Sequence, residues 1–295
     1  MDSVLVLIAA PSSDVINRRI VDAVAATTGA GIEWLAQGEA LQSPCDMPHL
    51  SELETAIAGL PIDLNVVSAA NRRKRILLAD MDSTMIGQEC IDELGARAGV
   101  GERIRAITAR AMRGDLDFEG SLRERLLLLK GLKEDVIGEI IRDRITFAAG
   151  GAALIATMKA NGARTALVSG GFTQFTSHVA DKLDFDEHRA NHLIIEDGKL
   201  MGTVRNPILG RDAKVVALND IAADLALTPE DVIAVGDGAN DIPMLQRAGL
   251  GVALHAKPHV RAAAPCRIDH GDLTALLYLQ GYRKDEFVTP PLPSS

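Results

Sequence analysis

The sequence predicts an α/β protein in two parts. One is a Rossmann-like, mostly parallel core sheet with an inserted helical cap; the other, ahead of it, is a small ferredoxin-like α+β unit. Three observations lead there. Short apolar runs at residues 76–79, 163–168 and 232–235 each end in acids, hydroxyls or glycines: Asp80-Met81-Asp82, Ser169-Gly170-Gly171 and Gly236-Asp237-Gly238. Such runs suit strands buried on both faces, as a parallel sheet covered by helices requires. About sixty residues after Glu89 carry helical periodicity without a convincing strand. Before residue 72, apolar and helical patterns alternate as βαββαβ, the order of a two-layer unit with helices on one sheet face.

Taken in order, residues 4–10 form the first strand, closed by Pro11. That run is seven residues long with no basic residue before it, so it reads as a strand and not as a signal peptide. Asp14 is the expected cap of a helix whose Ile16, Ile20, Val21 and Val24 share a face, ending before Gly29. Strands follow at 32–37 and 39–42, a helix at 49–58 with Leu50, Leu53 and Ile57 on one side, and a fourth strand at 60–68. Charge marks the end of this block. Residues 1–71 hold nine acids against Arg18 and Arg19, and Arg72, Arg73, Lys74 and Arg75 then follow in a row. That basic run is expected to be a solvated linker at a domain junction. The block carries no catalytic combination; packing, effector binding or a homodimer through it are its expected roles.

The cap, residues 86–148, contains a helix with Ile91, Leu94 and Ala98, another with Ile104, Ile107 and Ala111, a Leu-rich one over 118–129, and a last one with Val136, Ile137, Ile140 and Ile141. Inserted after the first core strand, it would sit over that strand's carboxyl end as a lid does. Arg123 and Arg125, beside Phe118 and Ser121, would then offer cations to an anionic substrate.

The core spans 72–288. After the cap come a helix at 150–160, the strand at 163–168 and a helix at 172–180. A looser stretch over 184–204 has Asp197-Gly198 as a hairpin turn between 193–196 and 200–204. Lys214 stands early in a helix at 212–227. The strand at 232–235 leads through Gly236-Asp237-Gly238-Ala239-Asn240-Asp241 into a helix at 242–248. A strand at 251–254, a helix from Pro258, a strand at 266–268 and a helix at 273–280 complete the core; residues 289–295 read as a flexible tail.

Bulk properties exclude several classes. A net charge of −9 lacks the basic footprint of non-specific nucleic-acid binding. No segment approaches 18 continuous apolar residues, so no membrane span is expected. Cys45, Cys90 and Cys266 are widely spaced and make neither a disulfide framework nor a zinc pattern, which suits a reducing, cytoplasmic setting.

The chemistry lies at the strand ends. Open α/β sheets hold ligands there, and adjacent carboxylates such as Asp80 and Asp82 repel unless a cation or a shared proton separates their roles. Each motif alone is compatible with an ordinary turn. Together, carboxylates from two strand ends can bind Mg²⁺ through oxygen, while Ser169, its glycines and Lys214 suit an anion. The combination points to metal-assisted transfer at a phosphoryl group.

These motifs, Asp80-Met81-Asp82-Ser83-Thr84, Ser169, Lys214 and Gly236 to Asp241, resemble in type and order the haloacid dehalogenase superfamily of aspartate-nucleophile phosphatases. The likeness runs from about residue 74 to about residue 280. Within the superfamily, DMDSTMIGQE, MRGDLDFEGSLRERLLLLKGL and SGGF are similar to the phosphoserine phosphatase family. Met81 stands where that family usually has Phe, and its side chain is expected to point away from the phosphate. The N-terminal block resembles the amino-acid-binding regulatory domain of some members.

The resemblance implies Mg²⁺-dependent hydrolysis of O-phospho-L-serine to L-serine, the last step of serine biosynthesis. Asp80 is then the nucleophile and Asp82 the general acid and base. Ser169, Gly170 and Lys214 hold phosphate; Glu89, Met112, Phe118, Arg125, Gly171 and Asn240 contact substrate, Glu89 at the ammonium and Arg125 at the carboxylate. Mg²⁺ is held by Asp80, the Asp82 backbone carbonyl and Asp237, with Asp241 supporting that shell. A phosphatase for another small phosphorylated amino acid, such as homoserine phosphate, or a non-catalytic amino-acid sensor are the alternatives.

Overall fold

The computed structural model describes residues 2–46, 49–112 and 115–290, with the side chain of Met112 outside the described set. The N-terminal unit contains β1 (Ser3–Ala9), α1 (Arg18–Thr28), β2 (Glu33–Ala36), β3 (Ala40–Cys45), α2 (Ser51–Ile57) and β4 (Ile62–Ser68). Its antiparallel sheet runs β2-β3-β1-β4. Alternation along β1 divides the burial. Leu5, Leu7 and Ala9 pack under the two helices with Ile20, Val24 and Leu53, whereas Val4, Val6 and Ile8 join the large core cluster that also holds Tyr278 and Leu276. The period of two along a strand sends neighbouring side chains to opposite faces, so this sheet is covered on both.

One local expectation fails here. Helix α1 is capped by Asn17, whose side chain accepts from the Ile20 N–H at 3.3 Å. Asp14 instead adopts φ 48° in the preceding turn. Both residue types cap helices, but only Asn17 is placed against the open N–H groups.

The core begins with β5 (Ile76–Ala79). The inserted helices are α3 (Cys90–Arg97), α4 (Gly101–Met112), α5 (Phe118–Leu128) and α6 (Asp135–Asp143). Then come α7 (Gly151–Ala160), β6 (Arg164–Phe172), α8 (Thr173–Leu183), β7 (Glu187–Asn191), the hairpin β8 (Leu193–Glu196) and β9 (Lys199–Val204), and α9 (Arg211–Asp224). The chain closes with β10 (Val232–Gly236), α10 (Ile242–Arg247), β11 (Leu250–Leu254), α11 (Pro258–Ala263), β12 (Cys266–Ile268) and α12 (Ala275–Leu279). The core sheet runs β12-β11-β10-β5-β6-β7, and every neighbouring pair is parallel. Its two faces carry separate apolar clusters, one around Leu77, Leu167 and Val235 and the other around Leu78, Val168 and Ala234. Burial on both faces is what the near-continuous apolar strands require.

Strand β7 lies inside the stretch read as loose from the sequence. Its Glu187, His188, Arg189 and Ala190 are only half-buried, so the edge strand lacks the apolar signature of the others. Strand β6 extends past the expected end at 168 to Phe172, with a register shift between Val168 and Phe172.

The chain leaves the core for the cap and re-enters it through two paired segments. Gly87 N–H donates to Thr146 O (3.0 Å), Ala148 N–H donates to Met85 O (2.9 Å), and Ile86 bridges Phe147. At its other end the cap meets the β8–β9 hairpin, where Gly131 N–H donates to Leu200 O (2.8 Å) and Leu200 N–H donates to Leu132 O (2.9 Å).

The basic run at 72–75 is only half solvated: Arg73 and Arg75 are exposed, whereas Arg72 and Lys74 are not. Arg72 donates to the carbonyls of Leu279 (2.9 Å) and Tyr278 (3.2 Å) and to Gln42 Oε1 (2.6 Å). Lys74 is buried and donates to Glu230 O at 2.7 Å. Arg73 lies 4.0 Å over the Tyr282 ring, within cation–π range. Burial pushes the Arg72 guanidinium down to about 10, and the carbonyls replace lost water. Arg72 thereby joins Gln42 of the N-terminal unit to the carbonyls of α12. Of the expected flexible tail, residues 291–295 lie outside the described residues. No helix among the described residues is long and apolar enough to cross a membrane.

Candidate active site

Three neighbouring strands, β10, β5 and β6, deliver the motifs side by side. Asp80 N–H donates to Val235 O at 3.0 Å, which continues the β5–β10 ladder one residue beyond Ala79 and holds the first aspartate at the sheet's carboxyl edge. Connections from β5 run toward β6 on one side, while β10 leads to β11 on the other. The site therefore sits where the winding reverses, the crevice favoured for ligands in such sheets.

Asp80 is buried, and its Oδ1 accepts from Met81 N–H at 2.8 Å. Lys214, from the first turn of α9, reaches the same oxygen at 2.6 Å and Oδ1 of Asp241 at 2.5 Å. Ala217, Leu218 and Ile221 fix α9 against the sheet, so the lysine arrives on a packed support. Oδ2 of Asp241 accepts from Gly238 N–H at 2.9 Å. Asp237 is half-buried and accepts from Thr84 Oγ1 at 3.4 Å.

Carboxylate oxygens of Asp80, Asp237 and Asp241 all lie within 4.8 Å of one another. Three carboxylates against one ammonium leave two negative charges, which a divalent cation would neutralise. An all-oxygen donor set fits a hard cation. Both oxygens of Asp241 already carry donors, so Asp80 and Asp237 offer the freer lone pairs, with Asp241 behind them.

Electrostatics follow from burial and crowding. Burial and the charge of Asp241 hold the Asp80 carboxyl well above the usual range, against the pull of Lys214. Burial pushes Asp82 up to about 7; the Glu89 charge adds to this, while hydrogen bonds from Cys90 and the charge of Lys214 oppose it. Asp237 is raised to about 6 by burial, then by Asp241 and Glu89. Burial alone would lower the Lys214 ammonium, but Asp241 and Asp80 outweigh it and raise it. Two carboxyls one residue apart thus sit in different surroundings: Asp80 against a buried cation, Asp82 beside the rim acid Glu89.

Ser169 is buried, and its Oγ accepts from Gly171 N–H at 2.9 Å. The glycines beside it are required by space. A Cβ on Gly170 would stand 2.9 Å from Phe118 Cζ, and one on Gly171 would stand 3.0 Å from Asp82 Oδ2. Phe118, at the start of α5, therefore lies against the core loops and brings the cap onto the site. Arg125 shares that helix, half-buried, with Nε donating to Ser121 O at 3.2 Å. Burial lowers its guanidinium, opposed by the charges of Asp92, Glu89 and Asp82, which places the arginine among the acids of the mouth. Glu89 is exposed at the rim and accepts from Ser83 Oγ at 2.8 Å. Asn240 Nδ2 lies 3.5 Å from Asp241 Oδ1. Met81 is fully buried in the apolar core, with its Cε close to Gly171. Met112 is the one candidate whose side chain lies outside the described residues.

Two contributors, Cys90 and Ser121, carried no signal of their own, and two from the Asp80 motif, Ser83 and Thr84, gain a contact here. Cys90 N–H, at the start of α3, donates to Asp82 Oδ1 at 3.3 Å. Ser83 and Thr84 support Glu89 and Asp237, and Ser83 adopts φ 56° to do so. The buried Ser121 hydroxyl has no partner among the described residues; it lies between Phe118 and Arg125 at helical spacing.

Comparison with known proteins agrees with this layout. The family model for haloacid dehalogenase-like hydrolases matches residues 77–246. A phosphoserine phosphatase of Archaeoglobus fulgidus is 42% identical over 218 residues, covering 74% of this chain and 63% of that protein. The Haemophilus influenzae phosphoserine phosphatase is 44% identical over 204 residues, covering 69% and 65%. The chain thus spans just under two thirds of the length of these relatives. The crystal structure of a HAD family hydrolase from Salmonella enterica serovar Typhi superposes with a TM-score of 0.83 at 31% identity, covering 96% of this chain and 99% of that one. That coverage takes in the N-terminal unit as well as the core.

Proposed function

We propose that this chain, which belongs to the haloacid dehalogenase-like hydrolase family, hydrolyses O-phospho-L-serine to L-serine and phosphate. The observation that carries the reading is the convergence of Asp80, Asp237, Asp241 and Lys214 beside Asp82, under a cap whose Arg125 is near enough to Glu89 for their charges to interact. The names of the relatives supply the substrate, and the two opposite charges at the mouth suit a zwitterionic amino acid.

In the first displacement an Asp80 carboxylate oxygen attacks phosphorus. The P–O bond to serine breaks as Asp82 gives its proton to the departing oxygen. In the second, Asp82, now ionised, takes a proton from water; the water oxygen attacks the aspartyl phosphate and frees phosphate and the Asp80 carboxylate. An acid held near neutrality suits a group that both gives and takes a proton. Lys214 holds Asp80 in place and offsets phosphoryl charge, with Ser169 and Gly170 on the other oxygens. Glu89 receives the ammonium and Arg125 the carboxylate, while Phe118, Met112, Gly171 and Asn240 line the substrate.

Asp80, the Asp82 backbone carbonyl and Asp237 would hold Mg²⁺, supported by Asp241. When bound, the ion supplies electrostatic relief to the phosphoryl oxygens. Residues 1–71 are a separately patterned unit, and a homodimer through this unit belongs to the same proposal, as does a cytoplasmic setting.

The test is phosphate release from a panel of phosphorylated amino acids, with and without Mg²⁺. The reading requires a clear preference for phosphoserine over homoserine phosphate and loss of release in chelator. Equal rates across the panel would remove the substrate assignment.

A further inference from the structure

We infer that Asp63, on the N-terminal sheet, is a positioning residue for the cap hinge, so that residues 1–71 brace the lid of the active site. The inference rests on an unbroken set of contacts between β4 and the segments joining cap to core.

The first contact joins the free edges of the two sheets. Asn65 Nδ2 donates to Arg267 O at 2.9 Å and its Oδ1 accepts from Arg267 N–H at 2.9 Å. A side-chain amide thereby occupies the place of a neighbouring strand along β12, covering an edge that would otherwise be exposed. Two residues earlier, on the same face of β4, Asp63 is buried. Its carboxylate accepts from Asp269 N–H at 2.7 Å, from His270 N–H at 3.1 Å and from Gly271 N–H at 2.8 Å. Three successive amides on one carboxylate fix the loop after β12, because charge-assisted bonds of this kind are about twice as strong as neutral ones.

That loop leads straight to the hinge. Asp272 Oδ1 accepts from Thr274 N–H at 2.8 Å and closes a tight turn. Gly150 rests directly on it: a Cβ there would stand 2.6 Å from Thr274 N and 2.8 Å from Asp272 Oδ1, and its φ of 78° is left-handed. Leu273 N–H donates to Ala149 O at 3.1 Å. Residues 148–150 are the returning half of the hinge, bonded in turn to the departing half through Ala148 N–H and Met85 O. Every link is a hydrogen bond or a contact too tight for a side chain. Movement of the 269–274 loop must therefore displace the point from which the cap swings.

A cap with a loosened hinge spends less time closed, and apparent substrate affinity falls in proportion to the closed fraction. In the full chain, Asp63→Asn is expected to speed amide hydrogen exchange at Gly87 and Ala148 about tenfold, as a hinge that opens more often requires. Exchange at Ile233 and Val235 in the central strand should stay unchanged. The KM for phosphoserine should rise about fivefold with kcat within about twofold, since only closed-state population changes. The kinetic arm rests on the proposed phosphoserine reaction and the exchange arm does not, so failure of the substrate assignment leaves the hinge measurement standing. Unchanged exchange at Gly87 and Ala148, or an equal rise at Ile233 and Val235, overturns the inference. Should Asp63→Asn fail to fold, Asn65→Asp is read at the same amides; it keeps one of the two bonds to Arg267 and is expected to raise hinge exchange about threefold, and no rise overturns the inference.

Discussion

The ammonium of Lys214 lies 2.6 Å from Oδ1 of Asp80, with both side chains almost wholly shielded from water. It is the only cation bonded to the three crowded carboxylates of Asp80, Asp237 and Asp241 among the described residues. Lys214→Met should therefore act twice. Removing one partner of a buried charge cluster costs about 3–5 kcal/mol, read as a fall in urea stability. Loss of a donor aimed at developing charge lowers turnover by about 10²–10³. A variant with ordinary stability and turnover would contradict the assigned position of the lysine.

Asp80→Asn tests the nucleophile separately from the fold. An amide oxygen cannot form the acyl phosphate, so phosphate release should fall to background. Stability should hold or rise, because burial and the charge of Asp241 disfavour a carboxylate at this position. The paired measurement is phosphate release against thermal melting. Residual turnover near that of the parent would exclude Asp80 as the attacking group.

Much of this site was legible because strand termini advertise themselves. Asp80, Ser169 and Asp237 each follow an apolar run that ends abruptly, and parallel pairing places those ends together. Lys214 was visible only through its order in the chain, since one lysine in a helix carries no intrinsic signal. Cys90 was illegible as a contributor, since its contacts to Asp82 through the backbone N–H and the thiol follow from the fold; Thr84 was legible as part of the Asp80 motif, but its contact to Asp237 is set by the turn. Strand β7 escaped because an edge strand with Glu187, His188 and Arg189 has no apolar alternation. Arg72 and Lys74 misled for a related reason. Cations in a row read as solvated, and only the carbonyls of Tyr278, Leu279 and Glu230, more than 150 residues away in sequence, give them a buried role.

Glu89 joins substrate selection to the acidity of Asp82. Its charge is the main neighbouring charge that raises Asp82, after burial. The first displacement needs Asp82 protonated, so kcat/KM should decline as pH rises through its pKa, about 7 in the metal-free protein. A bound cation lowers that limb. Glu89→Gln removes the raising charge, so its alkaline limb should fall at lower pH than the parent's under the same metal concentration. Loss of the ammonium partner should also reduce kcat/KM for phosphoserine by about 10²-fold or more, while an amine-free phosphomonoester loses little. A pH–rate series on both substrates checks the two effects together; a limb that moves upward, or equal losses on both substrates, would rule out this role.

The junction at Arg72 predicts that residues 72–295 alone will be poorly stable. Removing residues 1–71 uncovers the face of α12 now packed with Val4, Val6, Ile8 and Val67, and burial of each such side chain is worth about 1.5–3 kcal/mol. It also strips Tyr278 of its bond to Glu39 at 2.8 Å, Arg283 of Glu33 and Lys284 of Glu39. Arg72→Met in the full chain samples the same interface more gently. It leaves the Leu279 carbonyl without its donor, at about 1–3 kcal/mol for a group left unpaired, while the Tyr278 carbonyl keeps the Gly281 N–H at 2.9 Å. The expected result is a lower melting temperature in Arg72→Met, and aggregation or a still lower transition in the shortened chain. Because Arg72 lies ahead of β5 and Asp80 just past the carboxyl end of that strand, Arg72→Met should keep its kcat below the transition. A shortened chain that melts like the parent would mean that the two parts are stable independently.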